Sequence, residues 1–153
     1  MILGIRCSNT DYSFALLKGT KGTPLVVNIT SAFFPKGYTR PNVLRWLYQE
    51  IDDYFLKHKG ISHLVLKGAE AMAQTGNAYG DRVEGEAIFL LAAANNGLIA
   101  CRKVKPTIAK NLGLVGRAKA LEEDLDTSVI ATFNNYSTKE QEVVLAAWSE
   151  LNS

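Results

Sequence analysis

Two cations close two buried apolar runs. Arg6 follows Ile2, Leu3 and Ile5, and Lys67 follows Leu64-Val65-Leu66. A polar residue that ends a buried strand sits where the strand opens toward solvent, so its type bears on chemistry. An arginine there stays protonated and cannot ligate a metal, but it can hold an anion or a carboxylate. Other familiar constellations are missing. There is no Cys-x-x-Cys, no His-Glu-x-x-His and no Cys/His cluster, and His58 and His63 have no ligand set around them. No metal and no cofactor is therefore expected. Cys7 and Cys101 read as packed free thiols of a reducing compartment. The stretch Gly68 to Asp81 (GAEAMAQTGNAYGD) is glycine-rich and long enough to be functional or mobile. It has neither a GK[ST] nor a GxGxxG pattern, so a phosphate cradle is not expected.

The chain has 153 residues, 47% apolar and 21% charged, which suits one soluble domain with a real core. A net charge of +2 is too small to argue nucleic-acid binding by itself. Met1 runs straight into a strand, without a basic region or cleavage site. The longest apolar run, Ala87 to Ala94, is broken by Asn95-Asn96-Gly97, whereas a membrane span needs about 20 apolar residues. A cytoplasmic protein without membrane contact is expected.

The elements that must position Arg6 and Lys67 follow from periodicity. Ile2 to Arg6, Tyr12 to Leu17 and Leu25 to Thr30 read as three strands of an antiparallel meander, joined by Ser8-Asn9-Thr10-Asp11 and by Gly19 to Pro24. Ser31 to Tyr38 reads as a loop. Its Phe33 and Phe34 are expected to tuck beneath it, with an exposed contact patch as the alternative. Pro41 opens a helix whose Leu44, Leu47, Tyr48, Ile51, Tyr54 and Phe55 form one stripe, with Gly60 able to close it. Ile61 to Lys67 is a strand covered on both faces. Arg82 to Asn96 reads as a helix with Val83, Ala87, Leu90, Leu91 and Ala94 inside and Gly97 as its stop. Leu98 to Val104 is the fifth strand, and Thr107 caps a short helix reaching Leu112. Arg117 to Phe133 reads as a helix that buries Leu121, Leu125, Val129 and Phe133, and its Glu122, Glu123, Asp124 and Asp126 face solvent. Ser137 or Thr138 starts the last helix, with a capping box to Glu140 or Gln141 and with Val143, Val144, Ala147, Trp148 and Leu151 buried. The order β-β-β-α-β-α-β-α-α gives a mixed α/β sheet.

That order, with Ile2 to Arg6, Leu64 to Lys67, Arg82-Val83-Glu84-Gly85, Val104 to Lys110, Gly113 to Lys119 and Glu140 to Ala147, resembles the RNase H-like superfamily, and within it RuvC-type junction resolvases. It also looks like a family of small bacterial proteins of unknown function with this layout and with the acidic residues lost. The resemblance implies a five-stranded sheet of order 3-2-1-4-5 that sets Arg6 and Lys67 on neighbouring strands about 4.8 Å apart. It also sets Cys7 and Cys101 roughly 10 Å apart, too far for a disulfide. Active members use two divalent cations about 4 Å apart, held by carboxylates from the first strand, the fourth strand and the last helix. The matching positions here are Arg6, Lys67, Lys139 and Glu142, so only Glu142 keeps an acid; a one-residue slip substitutes Glu140. The charge of the motif is reversed. A homodimer is implied by the resemblance alone.

Four outcomes remain open at this level. Arg6 and Lys67 can be neutralised by Glu142, Glu140, Glu84 or Glu86 as a structural ion-pair cluster, since unpartnered buried charges cost several kcal/mol. They can instead bind an anion such as a nucleic-acid phosphate, with Arg82, Lys103, Lys105, Lys110, Arg117 and Lys119 as a basic rim. The chain can be a protein-interaction module that uses Phe33, Phe34 and Tyr38. Or it can be a metal-dependent nuclease with displaced acids Asp11, Asp81, Glu84 and Glu142. The first and third together make a catalytically degenerate, non-enzymatic protein, the reading the residues favour.

Overall fold

The computed structural model describes residues 1–153. Its elements are β1 (Ile2–Cys7), β2 (Asp11–Gly19), β3 (Pro24–Phe33), α1 (Arg40–Lys57), β4 (His63–Lys67), α2 (Gly76–Asn95), β5 (Ile99–Lys103), α3 (Lys105–Asn111), α4 (Ala120–Glu123) and α5 (Thr138–Trp148). The sheet order is β3-β2-β1-β4-β5, as expected. β1 pairs antiparallel with β2 and parallel with β4, and β5 pairs parallel with β4. α1 carries the chain from the edge strand β3 across to β4, and the parallel neighbours β4 and β5 are joined through α2, the crossover such a pair requires.

β1 is buried on both faces, which is why its run is apolar without strict alternation. Leu3, Ile5 and Cys7 face the core covered by α1 and α2, with Phe14, Leu47, Leu64 and Phe89. Ile2 faces the second core with Ala15, Leu17, Val65 and the buried side of α5. α5 comes so close to the sheet that a Cβ on Gly4 would lie 2.0 Å from the Val143 carbonyl oxygen and 3.0 Å from the Ala147 nitrogen. Here glycine is needed because another backbone occupies the space its side chain would fill. The start of α5 is fixed locally by a capping box: Ser137 Oγ accepts from the Glu140 N–H, and Glu140 accepts from the Ser137 N–H.

Several elements depart from the sequence reading. β3 runs on through Phe33, so the loop is shorter than expected. Phe33 is 79% exposed, while Phe34 packs on Trp46 with ring centroids 6.3 Å apart. α2 starts at Gly76, six residues early, and absorbs the second half of the Gly68–Asp81 stretch. Its buried face is Gly85, Glu86, Phe89, Ala92 and Ala93, so Ala87, Leu91 and Ala94 point outward. Its second half, Ala87 to Ala94, is apolar on every side, and periodicity could not select a face there. Gly85 selects it, by lying against the Cys7 thiol. α3 starts at Lys105, with Pro106 in its first turn. The helix expected over Arg117 to Phe133 does not form. It is replaced by four-residue α4 and single 3-10 turns at Thr127–Val129 and Phe133–Asn135. Asp126 accepts hydrogen bonds from the Ser128 N–H and hydroxyl, and such local bonds compete with helix propagation.

Candidate functional site

The parallel register ends at Ile5↔Leu66, which puts Arg6 and Lys67 next in line on adjacent strands. Their charged groups nevertheless turn to different partners. Arg6 Nε donates to Glu142 Oε2 at 2.6 Å, and Arg6 Nη1 lies 4.0 Å from Asp11 Oδ1. Asp11, at the start of β2, also accepts from Lys139 of α5 and from Ser8 Oγ. Arg6, Asp11, Lys139 and Glu142 thus form an alternating chain of charges that ties α5 to β1 and β2. Two cations meet two anions, so its sum is zero.

Lys67 is buried. Its ammonium donates to the Gly68 carbonyl oxygen at 2.7 Å and to Glu70 Oε1 at 2.8 Å. The same Glu70 oxygen accepts the Lys105 N–H at 3.2 Å. Glu70 is therefore the counter-ion of Lys67, and the four acids named from the sequence are engaged elsewhere. Glu142 belongs to Arg6, Glu140 caps α5, and Glu84 pairs with Arg40 at 2.6 Å. Glu86 is buried between Arg82 and Arg102, each 2.8 Å away. The i,i+4 spacing of Arg82 with Glu86 on one helix is a pairing signal legible in the sequence, whereas Lys67 and Glu70 meet across the end of β4 and the loop after it.

The cations of the expected rim are placed unevenly. Arg82 is inward, bonding Glu86 and donating to the Lys67 carbonyl oxygen at 2.6 Å. Lys103 is buried against Glu150 and Ser149. Lys105 lies 3.6 Å from Glu122, and Arg117 pairs with Glu123 and Asp124. Lys110 and Lys119 are exposed without an acidic partner. Among the displaced acids, Asp81 lies 3.9 Å from Arg40, so Asp11, Asp81, Glu84 and Glu142 all face a cation. Phe33, Phe34 and Tyr38 share a separate groove with Arg40 and Asp81.

A two-cation centre does not fit these residues. The single carboxylate at the expected positions, Glu142, is held by a guanidinium. No three His, Cys, Asp or Glu side chains converge as a metal would require. Cys7 and Cys101 are free thiols. Burial, with Glu86 adding to it, pushes the Cys7 thiol up to about 12, which leaves it protonated and unreactive.

The ion pairs have a pH signature. Burial works against ionisation of Asp11, but hydrogen bonds from Lys139 and Ser8 and the charges of Lys139 and Arg6 outweigh it and hold the carboxyl below its ordinary value. Burial is likewise outweighed at Glu70 by Lys67 and the Lys105 N–H. A carboxyl depressed in the folded state adds stability above its unfolded pKa and loses it as pH falls through the folded one. Stability measured by urea unfolding is expected to hold from neutrality down to about pH 4 and to decline below it. Asp11→Asn and Glu70→Gln are each expected to flatten that decline, and an unchanged acid slope in both would contradict the assignment.

No family model matches the chain, and no curated protein matches it at significant similarity. Solved structures do. RuvC of Thermus thermophilus in complex with a Holliday junction substrate aligns with a TM-score of 0.74 at 7% identity, over 97% of this chain and 90% of that one. A second T. thermophilus RuvC structure aligns at 0.72 and 9% identity, over 97% and 91%. The yeast mitochondrial Holliday junction resolvase Ydc2 aligns at 0.59 and 9% identity, over 96% and 74%. With the strand order, crossovers and packing of α5 already described, the chain has the RuvC-like form of the RNase H-like fold.

Proposed function

We propose that this chain is a catalytically dismantled RuvC-like protein that works as a non-enzymatic binding or interaction module. The observation that carries this reading is the Arg6–Glu142 pair. A guanidinium lies 2.6 Å from the one acid left at the expected catalytic positions, with Asp11 on its other side. Recruiting a divalent cation would require breaking that pair and releasing Asp11 from Lys139, and at the neighbouring strand end Lys67 offers no ligand and already engages Glu70. The displaced-acid alternative meets the same obstacle, because each of its four carboxylates already faces a cation.

Incubation of the intact chain with four-way junction, duplex and single-stranded DNA and RNA, in Mg²⁺ and in Mn²⁺, is expected to give no cleavage. Cleavage that disappears in Glu142→Gln would overturn the reading. A second reading, nucleic-acid binding without cleavage, draws on the junction held by T. thermophilus RuvC and on the unpartnered Lys110 and Lys119. A mobility shift with the same nucleic acids at low salt, lost steeply as salt rises, is the result it requires.

A further inference from the structure

β3 is an outermost strand of the sheet, and its outer side pairs with nothing. The Phe34 N–H donates to the Thr10 carbonyl oxygen at 2.8 Å and so sets the phase of the β2–β3 ladder. By the alternation of antiparallel pairs, Asn28, Thr30 and Ala32 turn their main-chain groups to β2. Ile29, Ser31 and Phe33 turn theirs outward. The strand is ten residues long, PLVVNITSAF, with no charged side chain and no proline after Pro24. Charges and prolines are the usual means of protecting an edge. A register shift opposite Leu16/Leu17 interrupts the first half only, so Asn28 to Phe33 is regular and open.

This open segment runs directly into a groove of about 560 Å³ lined by Phe33, Phe34, Tyr38, Val43, Lys36 and Arg40. Phe34 is held by Trp46, while Phe33 and Tyr38 are 79% and 51% exposed. Arg40 is engaged by Glu84 and Asp81, but Lys36 is exposed with no acidic partner.

We propose that the Asn28–Phe33 edge accepts an extended strand from a protein partner, which seats an apolar side chain in the Phe33–Tyr38 groove and an acidic residue beside Lys36. The main chain supplies affinity and the groove supplies selectivity, as in other strand-addition complexes. A second copy of this chain is the poorer occupant. Antiparallel self-pairing brings the other copy's β2–β3 turn, which carries Lys21 and no acid and follows Lys18 of β2, toward Lys36. The proposal rests on the interaction-module reading and names the surface that module uses.

The test is selection from a displayed library of ten-residue peptides on the intact chain, with Ser31→Pro as the counter-target. Ser31 turns its N–H outward, so proline there removes an edge donor without removing a main-chain bond to β2, although it also ends the 2.9 Å hydroxyl bond between Ser31 and Ser13. Enriched peptides are expected to alternate apolar residues and to carry Asp or Glu. The best of them is expected to slow amide exchange at Ile29, Ser31 and Phe33, and to bind at least about tenfold more weakly to Ser31→Pro and to Phe33→Asp. A lack of enrichment overturns the proposal, as does equal binding to both variants or a concentration-dependent dimer that Phe33→Asp dissolves. Phe33→Asp decides alone if Ser31→Pro melts early. The nuclease assay is read separately: cleavage there removes the module reading, and the peptide footprint is scored on its own.

Discussion

A Gly4→Ala variant is expected to lose about 3–4 kcal/mol of stability in urea unfolding, more than a single methyl usually costs in a core. Overpacked cores often recover by shifting a flexible side chain. Here the obstacle is backbone: the Val143 carbonyl oxygen stands 2.0 Å from the new Cβ and the Ala147 nitrogen 3.0 Å. Neither can move without lifting α5, whose Val143, Val144, Ala146 and Ala147 are fully buried against the sheet. β1 cannot yield either, since Gly4 sits between Ala15 of β2 and Val65 of β4. Lifting α5 would also pull Glu142 from Arg6 and Lys139 from Asp11, so the loss of packing and of ion pairs should appear as one transition. A variant within about 1 kcal/mol of the parent would mean that α5 does not press its backbone against Gly4.

Arg6→Ala is expected to cost about 2–3 kcal/mol, and Glu142→Ala somewhat less. The pair lies between the weak exposed salt bridge and the fully buried one, because its two side chains are 19% and 18% exposed. Arg6 matters more because its removal leaves two carboxylates, Glu142 unpaired and the buried Asp11 with Lys139 and Ser8 alone. The pairing is imperfect: Arg6 Nη1 is buried without a hydrogen-bond partner, which limits the net gain. Removing both charges with apolar groups of similar length, Arg6→Met with Glu142→Leu, is therefore expected to cost less than Arg6→Ala alone. A double-mutant cycle with the matching single variants should give a coupling of about 1–2 kcal/mol. Additive losses would mean the two side chains act independently, and the cluster would then not hold α5 in place.

If both expectations hold, the N-terminal end of α5 is fastened to the sheet by opposite charges. β1, β2 and α5 then converge on a charge cluster that sums to zero. Outside the cluster, the β3 edge and the Phe33–Tyr38 groove have both open main-chain groups and exposed aromatic faces.

The sequence by itself determined the succession of the strands and long helices along the chain and the position of the two cations at strand ends, while the order of strands across the sheet was implied by the family resemblance. Pro41, Gly97 and Ser137 mark element ends by local chemistry that needs no tertiary context. It also determined that Arg6 and Lys67 cannot be chelators, because residue type alone settles that. Only the tertiary structure decided which acid meets which cation. Salt-bridge partners 136 residues apart, such as Arg6 and Glu142, are set by how α5 lies on the sheet, and local spacing carries no trace of it. It also decided which face of α2 is buried, since the Ala87–Ala94 stretch is apolar on every side and has no preferred side until Gly85 meets Cys7. The failed helix before α5 has the opposite cause: its leucine spacing was helical, but Asp126 and Ser128 found nearer hydrogen-bond partners than the next turn would have offered.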